Sequence, residues 1–231
     1  MIVYESSSLG AIILHLHGFA SSVKGRKVST LHRLSKEHGI GFFAMDMDYQ
    51  SSTTSTILKT LEVIISGLLN THRRVYISAS SHGGYVALNY LRFFRPCVSS
   101  VFLFAPSYNT LELILKEAKD PDRWLEGKEE LEIFECETGL NLKIHKDFAM
   151  DIIKNDYEII KDNRVNFRND CNTPIRIYHG TKDSVVSYKF SEMFAKNVKV
   201  ESLELLEDDH ELSSSFSNIA NQIFEIIKRE V

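Results

Sequence analysis

A chain of 231 residues is long enough to bury one full core and fits a single domain. With 43% hydrophobic and 25% charged residues it reads as an ordinary globular protein, and a net charge of −4 gives no reason to expect nucleic acid or an anionic membrane surface as partner. No apolar run reaches the length of a membrane span, and the opening Met-Ile-Val-Tyr-Glu lacks the basic and apolar regions of a secretory signal. Cys97, Cys136 and Cys171 are odd in number and widely spaced, which argues against a disulfide framework and a zinc ribbon. The expectation is an intracellular, cytoplasmic protein with no membrane insertion.

Taken in order, residues 2–5 suit a short first strand, and residues 11–17 an apolar strand covered on both faces. That strand ends in His17-Gly18-Phe19 and a loop of small residues. Residues 27–38 carry Val28, Leu31 and Leu34 on one helical face, and residues 41–46 return to strand character. Residues 57–69 place Leu58, Leu61, Ile65 and Leu68 at helical spacing. A short strand at 75–77 passes through small residues into another helical pattern that includes Val86, Leu88 and Leu91. Residues 100–105 form a further strand, closed by Pro106. From 107 to 172 the chain becomes charged and reads as two or three amphipathic helices plus irregular segments. Alternation resumes with a strand at 175–179, a helix at 188–197, an edge strand at 200–206 and a closing helix at 215–229. Repeated strand–helix alternation predicts a mostly parallel sheet with helices on both faces, whose functional residues collect at the carboxyl ends of the strands.

The corner between the strand at 75–77 and the helix after it reads Ala79-Ser80-Ser81-His82-Gly83, a G-x-S-x-G pattern with alanine for the first glycine. Ser78 and Ser80 have no glycine two positions on, so the frame selects Ser81. A serine on such a turn is exposed to substrate, and the next backbone N–H stands at a helix start, where an anion is favoured. The alternative is a Ser/Gly-rich turn without chemistry. His179-Gly180-Thr181-Lys182-Asp183 and Asp208-Asp209-His210 follow two later strands. Taken singly, these are a turn aspartate and a packing histidine.

Together, Ser81, Asp183 and His210 stand in the chain order of α/β-hydrolase triads. With His17-Gly18-Phe19, the two glycines after Ser81 and the two later loops, the chain resembles that superfamily over nearly its whole length, in particular its small single-domain bacterial esterases. The insert also resembles, more loosely, that of mitochondrial-type depalmitoylating thioesterases. The resemblance implies an α/β-hydrolase fold, with residues 107–172 inserted as a helical cap over Ser81. It implies a cofactor-free hydrolase of carboxylic esters or thioesters that works through an acyl-enzyme. Ser81 would be the nucleophile, His210 the base, Asp183 its orienting acid, and the backbone N–H groups of Phe19 and His82 the oxyanion hole. Asp208 and Asp209 are rival acids, but a neighbour of a histidine on an extended loop points away from it.

Trp124 and Phe134, with Leu125 and Ile133, are candidates for the cap's apolar underside and the substrate pocket. His15 and His17 share a strand face, yet no acidic or histidine cluster follows at metal-site spacing, and no metal is expected. His179 reads as structural. A lactonase, amidase or carbon–carbon bond hydrolase on the same triad stays open, as does a non-enzymatic ligand-binding protein on the same scaffold. The expected partner is a small-molecule acyl ester or thioester.

Overall fold

The computed structural model describes residues 2–6, 8–135 and 139–231. Its centre is a seven-stranded sheet made of β1 (Ile2–Glu5), β2 (Ala11–Leu16), β3 (Gly41–Met45), β4 (Arg74–Ser80), β5 (Ser100–Phe104), β10 (Ile175–Gly180) and β11 (Ser202–Leu206), in the order β1-β3-β2-β4-β5-β10-β11. β1 pairs antiparallel with β3, and every other ladder is parallel. The strands alternate between two cores, as successive side chains on a pleated strand must. On one side Ile12, Leu14, Val75, Ile77, Val101, Leu103, Ile175 and Ile177 meet helices α2 (Thr54–Thr71), α3 (His82–Phe93) and α7 (Tyr188–Asn197). On the other, Ile13, Tyr76, Phe102, Phe104 and Tyr178 meet α1 (Arg26–His38) and α8 (Phe216–Glu230). This double burial is why the central strands read as continuous apolar runs.

Two boundaries lie further out than the sequence expectation. α2 begins at Thr54 because the Thr53 side chain caps it, accepting from the Thr56 N–H. β4 continues through Ser78, Ala79 and Ser80, small residues that stay in parallel register with Phe102, Leu103 and Phe104 of β5.

The insert between β5 and β10 departs further from expectation. It holds helices α4 (Thr110–Glu117), α5 (Pro121–Leu125) and α6 (Lys146–Asn155), but also an antiparallel pair β6 (Leu131–Glu135) and β7 (Leu140–Ile144) and a two-residue ribbon of β8 (Ile160–Lys161) with β9 (Arg164–Val165). The β6–β7 pair follows a period of two, Leu131 and Ile133 against Leu142 and Ile144, that helical spacing obscures.

The cysteine expectation also needs correcting. Cys97 and Cys171 form a disulfide with Cα atoms 5.8 Å apart, tying the chain after α3 to the end of the insert. Wide spacing in sequence places no limit on proximity in the fold. Cys136 lies outside the described residues. Among the described residues, no helix is long and apolar enough to cross a membrane.

Candidate active site

Ser81 sits between the end of β4 and the start of α3 with φ 50° and ψ −117°, backbone space that a residue with a side chain occupies only under strain. Its N–H donates to Phe104 O (2.9 Å), and its carbonyl accepts from the N–H groups of Gly84 (2.9 Å) and Ser107 (3.0 Å). The turn is tight against β2, since a Cβ at Gly83 would collide with the carbonyl oxygens of Leu16 and His17. Glycine at that position is therefore a packing requirement. His82 opens α3, so its N–H is one of the helix's unpaired N-terminal donors.

The other two predicted side chains reach Ser81 from separate loops. Ser81 Oγ lies 3.0 Å from His210 Nε2, and His210 Nδ1 lies 2.7 Å from Asp183 Oδ2. The two loops are pinned to each other by the Thr181 N–H on Leu206 O (2.7 Å) and the Lys182 N–H on Asp208 O (2.9 Å). A Cβ at Gly180 would strike the carbonyls of Asp208 and Asp209, so the acid loop can come this close only with glycine there. The start of α1 braces the histidine loop from the other side, through Arg26 Nη1 on Ser213 O (3.0 Å) and the Lys27–Glu211 ion pair.

The rival acids serve other purposes. Asp208 accepts from the backbone N–H groups of Asp209, Ser214 and Ser215, and Asp209 from that of Ser213. Both stabilise the turn into α8, and Asp183 is the carboxylate that meets His210. Its buried side chain takes two backbone donors on Oδ1, from Val185 and Val186 (both 2.8 Å). Oδ2 takes His210 and also His179 Nε2 at 3.0 Å. Burial opposes ionisation, but the hydrogen bonds from His179 and His210 outweigh it and hold this carboxyl well below the usual carboxylate range. The contribution of His179 is not foreseen from the sequence.

The loop after β2 is held by histidine and tyrosine. His17 Nδ1–H donates to Gly18 O (2.8 Å) and its Nε2 accepts from the Met47 N–H (2.9 Å), while Tyr49 OH donates to Gly18 O (3.3 Å). These bonds fix the peptide that presents the Phe19 N–H. His15 instead bonds Ser78 Oγ through Nδ1 (2.9 Å), and burial, helped by His17 and Lys27, lowers its pKa to about 3. The His82 ring packs inward among Phe19, Tyr49, Tyr85 and Phe148, and burial lowers its pKa to about 3. Both rings are therefore held neutral. Among the described residues, no group of three or more His, Cys, Asp or Glu side chains is arranged to hold a metal ion.

Ser81 and His210 open on a cavity of about 530 Å³. Its apolar lining includes Phe19, Leu113, Ile114, Ile133 and Val185. Its polar lining includes Ser21, Ser22, Arg26, Lys27 and Glu211. The two pocket residues expected from the sequence do not line it. Trp124 is buried inside the insert, its Nε1–H donating to Ile144 O (3.1 Å), and Phe134 points away from the cavity with 59% of its surface exposed. Ile133 faces in because neighbours on a strand point to opposite sides. Leu113 and Ile114 of α4 take the place assigned to Trp124.

Solved structures of similar fold span almost the whole chain. Est1E from Butyrivibrio proteoclasticus with ferulic acid bound is 15% identical with a TM-score of 0.75, covering 99% of this chain and 94% of that one. Alpha/beta hydrolase domain-containing protein 10 from mouse is 16% identical with a TM-score of 0.73, covering 100% and 94%. The monoacylglycerol lipase of Paleococcus ferrophilus is 14% identical with a TM-score of 0.70, covering 97% and 96%. No curated protein matches the chain in sequence. A family profile does match, over residues 12–228: built on the α/β-hydrolase fold, this chain belongs to the uncharacterised protein family UPF0227.

Proposed function

We propose that the protein is a serine hydrolase that cleaves carboxylic esters or thioesters of small to medium acyl groups through an acyl-enzyme. The observation that carries this reading is the hydrogen-bonded run from Ser81 Oγ to His210 Nε2 (3.0 Å) and from His210 Nδ1 to Asp183 Oδ2 (2.7 Å), beside a cavity of about 530 Å³. Such a run lets an imidazole take the serine proton as the hydroxyl attacks a carbonyl.

In the first step Ser81 Oγ bonds to the acyl carbon while its proton passes to His210 Nε2. Collapse of the tetrahedral intermediate breaks the bond to the alkoxide or thiolate, which leaves with that proton. Water then repeats the sequence on the acyl-enzyme and frees the acid. Asp183 keeps His210 oriented and offsets its positive charge in the intermediate. The N–H groups of Phe19 and His82 receive the oxyanion; losing one such donor commonly costs about 3 kcal/mol of barrier. Residues 107–172 act as a cap, with Leu113, Ile114 and Ile133 on the acyl side. A structural neighbour that is a monoacylglycerol lipase supports acyl-ester chemistry on this frame.

A panel of oxygen and sulfur esters with increasing acyl chain length tests the reading. Saturable turnover, with an optimum among short to medium chains and no loss on chelation, is the expected result. Folded protein that turns over none of them would contradict it.

A further inference from the structure

The proposed chemistry employs three side chains, yet a fourth titratable group, His179, touches the same carboxylate with none of its own side chain exposed. Its Nε2 lies 3.0 Å from Asp183 Oδ2 and 3.0 Å from Val186 O. A carboxylate and a carbonyl can only accept, so Nε2 carries a proton. In the neutral ring Nδ1 is then bare and accepts from Ser191 Oγ–H of α7 (2.7 Å), which leaves Ser191 Oγ to accept from Tyr108 OH at the start of the insert (2.9 Å).

We propose that His179, as the Nε2–H tautomer set by Ser191 and Tyr108, is a positioning residue that fixes Asp183 Oδ2 for His210 and divides the charge of that oxygen between two imidazoles. The proposal rests on the serine-hydrolase reading of the site. The backbone donors of Val185 and Val186 hold Oδ1 only, so the placement of Oδ2 falls to the two imidazoles. A second N–H on Oδ2 competes with His210 for the same atom and so weakens the carboxylate's pull on the His210 proton. The titratable groups facing the ring are Asp183 on its own loop, His210 across the shared oxygen, and Tyr108 through Ser191; β11 contributes the apolar Leu205 at the same register.

The test combines kinetics with nitrogen-15 NMR of histidine-labelled full-length protein. Wild-type spectra are expected to show His179 protonated at Nε2 and bare at Nδ1. His179→Leu should lower kcat by about tenfold to a hundredfold, the range known for outer-shell partners that orient metal-ligating side chains, with KM little changed. It should also move the acid limb of kcat/KM to higher pH. His179→Gln, which keeps an N–H at the Nε2 position, should recover most of the rate and the wild-type limb. A proton on Nδ1, a Leu variant with unchanged kcat and pH profile, or equal losses in both variants with an unchanged profile would each overturn the proposal. Wild-type protein without turnover would instead overturn the hydrolase reading, while the NMR result still decides the tautomer.

Discussion

The sheet frame and the insert hold their parts of the site by different means. In the frame, the reactive residues are set chiefly by backbone, with side chains bracing the loops around them: Ser81 is locked by hydrogen bonds at its N–H and C=O, and the loops of Asp183 and His210 are laced together by main-chain bonds with no room for a side chain at Gly180. In the insert, side chains add to a backbone ladder of β6 with β7. Glu158 Oε1 accepts from the Leu111 N–H at the start of α4 (2.9 Å), Trp124 bonds Ile144 O, and Tyr108 bonds Ser191. A backbone-built site tolerates drift in sequence only where chemistry and close approach allow. A wall built from side chains can be retuned one residue at a time. Under the proposed function, bond-breaking would belong to the frame and substrate choice to the insert.

The largest expected effect lies in the frame. Asp183→Asn should lower ester turnover by about 10⁴-fold, as loss of the orienting acid does in serine hydrolases. Asp209→Asn should change it little, because that side chain accepts from groups of its own turn, such as the Ser213 N–H, while Asp183 is the carboxylate that meets His210. Comparable losses in both would break the assignment of the acid. Next come the insert walls. Ile114→Ala and Ile133→Ala should each shift the preferred acyl chain length, changing relative kcat/KM by about tenfold for each methylene that the wall no longer covers. An unchanged chain-length profile would remove α4 and β6 from the substrate's path.

The smallest effect is a matter of pH. Burial, aided by Glu112 and opposed by the Leu111 hydrogen bond, pushes the Glu158 carboxyl up to about 7 from its ordinary 4.5. The folded state thus binds this proton more tightly than the unfolded chain. The resulting stability is fully present below pH 4.5 and is lost as pH rises through about 7. Thermal unfolding of Glu158→Gln should fall off less than wild type over that window, and parallel curves would contradict the placement of Glu158.

How far each region can be read from sequence follows from the same contrast. The frame is legible because double burial makes its strands apolar runs and because strand ends concentrate the reactive side chains: Ser81, Asp183 and His210, remote in the chain, stand within hydrogen-bonding distance. The insert's composition suggests helices, and three are there, but the β6–β7 pair is hidden because five-residue strands offer too few positions to separate a period of two from charged irregular chain. Trp124 suits a pocket by size alone, although an indole seeks burial and a partner for its N–H wherever both are found. His179 is silent in sequence because nothing in its motif tells which way the ring turns. The Cys97–Cys171 bridge depends on a tertiary meeting that spacing does not encode.

The most direct test of the central claim is active-site labelling. Intact protein treated with a fluorophosphonate and mapped by peptide mass spectrometry should carry the adduct on Ser81, and His210→Ala should abolish labelling while remaining folded. An adduct on Ser78 or Ser80, or undiminished labelling of the His210→Ala variant, would contradict a serine activated by His210.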